Sequence, residues 1–247
     1  MKKEKIIIGS RNSKLAIIYA QNVKKEILNN SDLNEDQIII QGIVTKGDQV
    51  QDKRVSDIGG KGLFSKNIER ELLNGNIDIA VHALKDMPAI ETDGLSLNFF
   101  LKRNDPRDVF LSRDKIKLRD LKSKSIIGTS SFRREFQIKK LKKDISCKLI
   151  RGNVDTRIKK LKEGLYDAII LSSAGIKSLQ LEKEITQIFT TDAIIPSAGQ
   201  GIISIQCRKN HTEITELLNK INDSDTQKCA VAERDVLKVL EGDCETP

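Results

Sequence analysis

The sequence predicts an α/β protein. Short β-branched runs alternate with longer stretches whose apolar residues recur at helical spacing, the pattern of helices packed on a sheet. That alternation restarts after a polar seam at Asn104-Asp105-Pro106. A length of 247 residues leaves room for one to two domains with a real core.

The elements follow in order. "KIIIG" (5–9) reads as a strand, and a helix runs from about Ser13 to Leu28, with Leu15, Ile18, Tyr19, Val23 and Ile27 on one face. "QIIIQGIV" (37–44) is the next strand, and residues 45–62 form a polar, glycine-bearing loop. A helix at about 63–74 precedes the strand "IDIAVH" (77–82). Beyond the seam, "DVFLS" and "SIIGT" (125–129) read as strands, with a helix from about Ser131 to Leu141. "CKLI" (147–150) leads into a helix at about 153–163, and "YDAIILS" (166–172) and "GIISIQCR" (201–208) are buried strands. Two amphipathic helices near 211–221 and 225–240 close the chain.

Composition narrows the function. The longest apolar runs are far too short to span a bilayer, and the basic N-terminus lacks the longer apolar segment of a secretory signal, so a cytosolic protein without a membrane partner is expected. Cys147, Cys207, Cys229 and Cys244 form no CxxC pair, and only His82 and His211 could join them, so neither metal nor disulfide is expected. A net charge of +8 favours an acidic partner. Nucleic acid is not the expected one, because aromatics are 4% with no Trp, and many lysines lie on solvated helix faces.

Three strand-to-helix junctions carry cations where a helix disfavours them. Arg11 precedes the N-cap candidate Ser13; Arg133 and Arg134 fall in a first helical turn; Arg151 ends a strand and Arg157 opens the next helix. Helix N-termini bear partial positive charge and unpaired N–H groups, so each cation there costs a few tenths of a kcal/mol or more unless an anion faces it. One such arginine commonly reaches back to a surface carboxylate; five at three junctions imply a polyanionic ligand at the carboxyl ends of the strands. Thr129, Ser130 and Ser131 can add hydroxyl donors. In "DIAVHALKDMP" (78–88) a buried strand runs into Lys85-Asp86, and Asp86 is the one carboxylate there able to steady a developing cation or carry a proton. His82 reads as a hydrogen-bonded core residue, and Cys147, Cys207 and Cys229 as buried filler. Cys244 follows Gly242 and Asp243 just past a helix and is expected on an exposed loop.

"DIGGKGLFSKNIERELLNGNIDIAVHALKDMP", "GTSSFRREFQ", "LIRGNVDTRIKKL", "PSAGQGIISIQCR" and "LEGDCETP" stand in the order in which their counterparts occur in the porphobilinogen deaminase (hydroxymethylbilane synthase) family, and the whole chain resembles it. The resemblance implies two α/β domains like those of type II periplasmic binding proteins around a cleft, plus a small α+β third domain, truncated here. By analogy domain 1 comprises 1–101 and 202–219, domain 2 comprises 102–201, and domain 3 begins at 220. It implies a transferase of porphyrin and heme biosynthesis that joins four porphobilinogen molecules head to tail with loss of ammonia, acting as a cytosolic monomer. Its cofactor is a dipyrromethane held by a thioether to the residue matching Cys244.

By motif position, Lys85, Thr129, Ser131, Arg133, Arg134, Gln200 and Gly201 match cofactor-binding positions, and Arg11, Ser13, Arg151, Asn153 and Arg157 match substrate-binding ones. Asp86 matches the catalytic carboxylate, and Lys61 a loop over the cleft. Ala83 replaces the family's usual serine, and Tyr19 stands where many members have glutamine. The sequence stops at Pro247, where the family's third domain continues; a pyrrole-acid binding protein impaired in catalysis is the alternative expectation.

Overall fold

The computed structural model describes residues 5–45, 47, 62–240 and 242, and they divide between two compact units. The first unit takes the described residues up to 47, then 62–104 and 202–242; the second takes 105–201.

The first unit is built on a five-stranded sheet of order β2-β1-β3-β10-β4. Its strands are β1 (Ile6–Arg11), β2 (Ile38–Ile43), β3 (Ile79–Ala83), β4 (Leu95–Phe100) and β10 (Ile203–Arg208). β1 lies parallel to β2 and β3, whereas β10 runs antiparallel to β3 and β4. Isoleucines stack across the first pair, Ile6 on Ile38, Ile7 on Ile39 and Ile8 on Ile40. A continuous apolar run suits a strand covered on both faces. Ile6 and Ile8 pack with Tyr19, Val23 and Ile27 of helix α1 (Lys14–Asn29). Ile7 turns the other way, towards Ile68 and Leu72 of α2 (Lys66–Leu73). Each fully buried isoleucine contributes roughly 1.5–3 kcal/mol, so a charge at Ile8 would break the layer. The unit is completed by α6 (Thr212–Asn219) and α7 (Ser224–Val239). α7 seats Ala230 among Leu84, Met87, Leu97, Phe100 and Ile202, and its Thr226 Oγ1 accepts the Arg103 N–H at 2.9 Å.

The second unit repeats the plan with order β7-β6-β8-β5-β9. Its strands are β5 (Asp108–Ser112), β6 (Ile126–Gly128), β7 (Ser146–Lys148), β8 (Ala168–Ser172) and β9 (Gln187–Ile188). β6 is parallel to β7 and β8, and β5 is antiparallel to β8 and β9. Phe110, Ile127, Ala168 and Ile170 face one layer with Ile138 of α3 (Phe132–Leu141). Val109, Leu111, Ile169 and Leu171 face the other with Ile158 and Leu161 of α4 (Val154–Lys162). A short α5 (Ser173–Ser178) follows β8.

The structure differs from expectation in several places. β4, β9 and α5 are additional elements, and the strand expected over 147–150 is Ser146–Lys148. Of the three cysteines expected as filler, Cys207 is buried, but Cys147 is only half-buried and Cys229 is exposed on α7. Cys229 follows Lys228 on the solvent side of the helix, while Ala230 takes the core position. Among the described residues no helix is long and apolar enough to cross a membrane, and no cluster of His, Cys, Asp or Glu could hold a metal ion.

Candidate active site

Each unit carries its own cluster of the residues singled out above. In the first, β1 ends on Arg11, and Ser13 caps α1 by accepting the Ala16 N–H at 3.3 Å. β3 runs into a tight 3₁₀ turn, Leu84–Asp86, pinned by the Leu84 N–H on the Ile202 carbonyl (3.0 Å) and the Met87 N–H on the Leu84 carbonyl (3.0 Å). That turn brings Asp86 back beside β1, with Arg11 Nη1 3.6 Å from Asp86 Oδ2. The Arg11 guanidinium also lies over the Phe64 ring, 4.3 Å from its centroid. A cavity of about 50 Å³ opens here, lined by Arg11, Ser13, Tyr19, Phe64, His82 and Asp86 among others. The cation expected to be misplaced at a helix start therefore faces a carboxylate and an aromatic ring. Lys85, in the same turn, is half-buried.

Behind the cavity wall lies a buried polar group. Gln206 Nε2 donates to Glu69 Oε1 at 3.0 Å, and Ser65 Oγ donates to Glu69 Oε2 at 3.2 Å. His82 sits on β3 within this environment. Its core position is as expected, but Nε2 has no hydrogen-bond partner among the described residues. Burial pushes its imidazole down to about 4, against opposing pulls from Glu69 and Gln206, so the ring is neutral near pH 7.

In the second unit, β6 delivers Thr129, Ser131 and the first turn of α3. The Ser131 N–H donates to Thr129 Oγ1 at 3.2 Å, and Ser131 Oγ caps the helix by accepting the Arg134 N–H at 3.4 Å. Arg133 and Arg134 are each only 7% exposed and converge on Asp108, at the start of β5, which is fully buried. Arg133 Nη1 lies 2.8 Å from Asp108 Oδ2. Arg134 gives Nε (3.1 Å) and Nη2 (2.7 Å) to Asp108 Oδ1. Gln200 Nε2 donates to the same oxygen at 2.9 Å and also to the Pro106 carbonyl. Burial alone would raise the Asp108 carboxyl; Arg134 and Arg133 overcome it and hold the group at about 2. Burial pulls the Arg133 guanidinium down, with Arg134 adding to that shift and Asp108 opposing it.

The third junction joins β7 to α4. Arg151 is buried and Asn153 is the N-cap residue of α4. Arg157 Nε donates to the Gly152 carbonyl at 2.7 Å. Gly152 adopts φ +113°, and a Cβ there would meet Thr156 Cγ2 at 2.8 Å, so only glycine lets Arg151 and Asn153 turn into the helix. Gly201 is likewise left-handed, at φ +84°. Lys61 and Cys244 lie outside the described residues.

Two contributors went unrecognised in the sequence. Asp108 is the carboxylate beneath both arginines; its signal was an acidic residue opening the otherwise apolar strand "DVFLS". Phe64, under Arg11, gave no signal beyond its place in "GGKGLF".

The donor chemistry suits a dipyrromethane, which bears several acetate and propionate arms: arginines and hydroxyls can take its acids, and a carboxylate can accept pyrrole N–H groups.

Comparison with known proteins agrees. Residues 6–216 match the family model described as "Porphobilinogen deaminase, dipyromethane cofactor binding domain". The porphobilinogen deaminase of Oceanobacillus iheyensis is 44% identical over 244 residues, covering 98% of this chain and 78% of that protein. That of Bacillus mycoides is 45% identical over the same shares. Among solved structures, a putative methionine-binding lipoprotein from Bacillus subtilis aligns with TM-score 0.52 and 12% identity, covering 92% of this chain and 93% of that one. The periplasmic aliphatic sulphonate binding protein SsuA from Escherichia coli aligns with TM-score 0.50 and 13% identity over 98% and 76%. At such identities the likeness speaks for the fold alone, that of type II periplasmic binding proteins. Family model and relatives agree along the chain: it belongs to the porphobilinogen deaminase family.

Proposed function

We propose that the two clusters divide the work of this family between acid binding and proton handling. The activity is the family's own: deaminative condensation of four porphobilinogen units into hydroxymethylbilane, primed on a dipyrromethane cofactor. When bound, that cofactor would supply the pyrrole carbon to which the first unit is joined.

The chain's residues do the rest. Every pyrrole ring brings an acetate and a propionate, so negative charge accumulates as the product grows. Arg133, with Thr129 and Ser131, holds cofactor acids, as does Lys85, while Arg134, Gln200 and Gly201 shape that site. Arg151, Asn153 and Arg157, with Arg11 and Ser13, hold substrate acids. Asp86 accepts pyrrole N–H groups, steadies the cation left when ammonia departs, and takes up the proton released on carbon–carbon bond formation. Cys244 is the attachment point. The chain works as a cytosolic monomer without nucleic acid, which sedimentation and retention on DNA at low salt test.

The observation that carries this reading is the meeting of Asp86 with Arg11 on the wall of one cavity, from positions 75 apart in sequence. Incubation with porphobilinogen followed by oxidation should yield the absorbance of a tetrapyrrole. Absence of that absorbance, with porphobilinogen unconsumed, would defeat the reading.

A further inference from the structure

The two adjacent arginines of α3 differ in what they have left to offer. Arg134 spends all three guanidinium nitrogens inside the protein: Nε and Nη2 on Asp108, Nη1 on the Ile170 carbonyl at 3.4 Å, and Nη2 also on Gln200 Oε1 at 3.3 Å. Arg133 uses Nη1 alone, on Asp108 Oδ2 and the Ile195 carbonyl. Among the described residues no hydrogen bond engages its Nε or Nη2, the pair of donors that matches a carboxylate side-on. Gln200 braces the arrangement from Pro106 and Asp108.

We propose that Asp108 is a positioning residue, which holds Arg134 as a strut and presents the Nε–Nη2 edge of Arg133 to a ligand carboxylate. Arg134 thus acts through Asp108 rather than by touching the ligand. Two neighbouring guanidinium groups repel, and the single buried carboxylate keeps both on one side of the helix. The depressed pKa of Asp108 agrees, because the carboxylate stays ionised through the working pH range. This inference rests on the proposal that Arg133 takes a pyrrole acid.

The test reads arginine Hε resonances in the full 247-residue chain. Propionate serves as the reversible probe and porphobilinogen as the loading reagent. In the wild type, Arg134 Hε should exchange slowly and stay put on propionate addition, while Arg133 Hε shifts with saturation. Asp108→Asn should weaken propionate binding at Arg133 by tenfold or more and speed Arg134 Hε exchange; Asp108→Glu should recover part of both. An Arg134 Hε that moves as far as that of Arg133 would overturn the proposal, as would an Asp108→Asn chain that titrates like the wild type. If Asp108→Asn fails to fold, the two wild-type resonances still decide. Failure of the wild type to load porphobilinogen would sink the family activity instead, leaving the propionate titration to judge Asp108.

Discussion

Replacing Asp86 by asparagine separates two roles that the geometry gives it. The shape and one acceptor oxygen are kept, and the charge is lost. As a partner for Arg11 it sits 3.6 Å away, with side chains 21% and 31% exposed. A pair that wet is worth about 0–1 kcal/mol, because solvent screens it. One kcal/mol lowers the melting temperature of a chain this size by roughly 2–4 °C. As the group that steadies a cation and moves a proton, its removal should cost about 10²–10⁴-fold in turnover, or roughly 3–5 kcal/mol in the barrier. The two magnitudes do not overlap. Asp86→Asn should melt within a few degrees of wild type, retain its cofactor adduct by intact mass, and lose at least about a hundredfold in the rate of tetrapyrrole formation. Turnover within threefold of wild type would refute the assigned role. A large fall in melting temperature with a proportionate fall in rate would instead make Asp86 structural.

Other consequences can be checked in parallel. Burial lowers the His82 pKa from 6.5 to about 4, so the unfolded chain binds the proton first as pH falls. Stability from this group is complete above the unfolded value and is lost through that window, by about 3 kcal/mol. Urea unfolding at pH 7 and pH 4 should show a loss that His82→Gln largely removes; equal slopes in both chains would contradict it. Asp108, lowered from 3.8 to about 2, gives stability that persists above the unfolded value and goes as pH falls through about 2, on the order of 2 kcal/mol. Acid titration of the melting temperature should show a step below pH 4 that Asp108→Asn lacks. Gly152→Ala forces a side chain into left-handed backbone and against Thr156, so it should cost roughly 1–3 kcal/mol and weaken substrate binding through Arg151 and Arg157. An unchanged melting temperature and KM would show the turn to be tolerant.

Much of this was legible in the sequence, for identifiable reasons. The isoleucine runs at 6–8 and 38–40 read as strands because they are short, β-branched and flanked by polar residues, and they pair in register. The arginine-bearing junctions were visible because the residue type conflicts with the local helix field. β4 was passed over although Leu95, Leu97 and Phe99 alternate with Ser96 and Asn98, the period of a half-buried strand. β9, two residues long, carries no period at all. The partners of the arginines were not legible, because Asp108 lies 25 residues before Arg133 and Asp86 lies 75 after Arg11. Contacts of that separation are fixed by sheet order rather than by local pattern.

The central claim is that a pyrrole oligomer, tethered by sulfur and held by its acids, is extended on this chain. Intact mass after incubation with porphobilinogen tests it most directly. The wild type should gain the mass of a dipyrromethane that survives denaturation, and Cys244→Ser should gain nothing. A wild-type mass equal to that of the bare polypeptide, or an adduct retained by Cys244→Ser, would contradict the account.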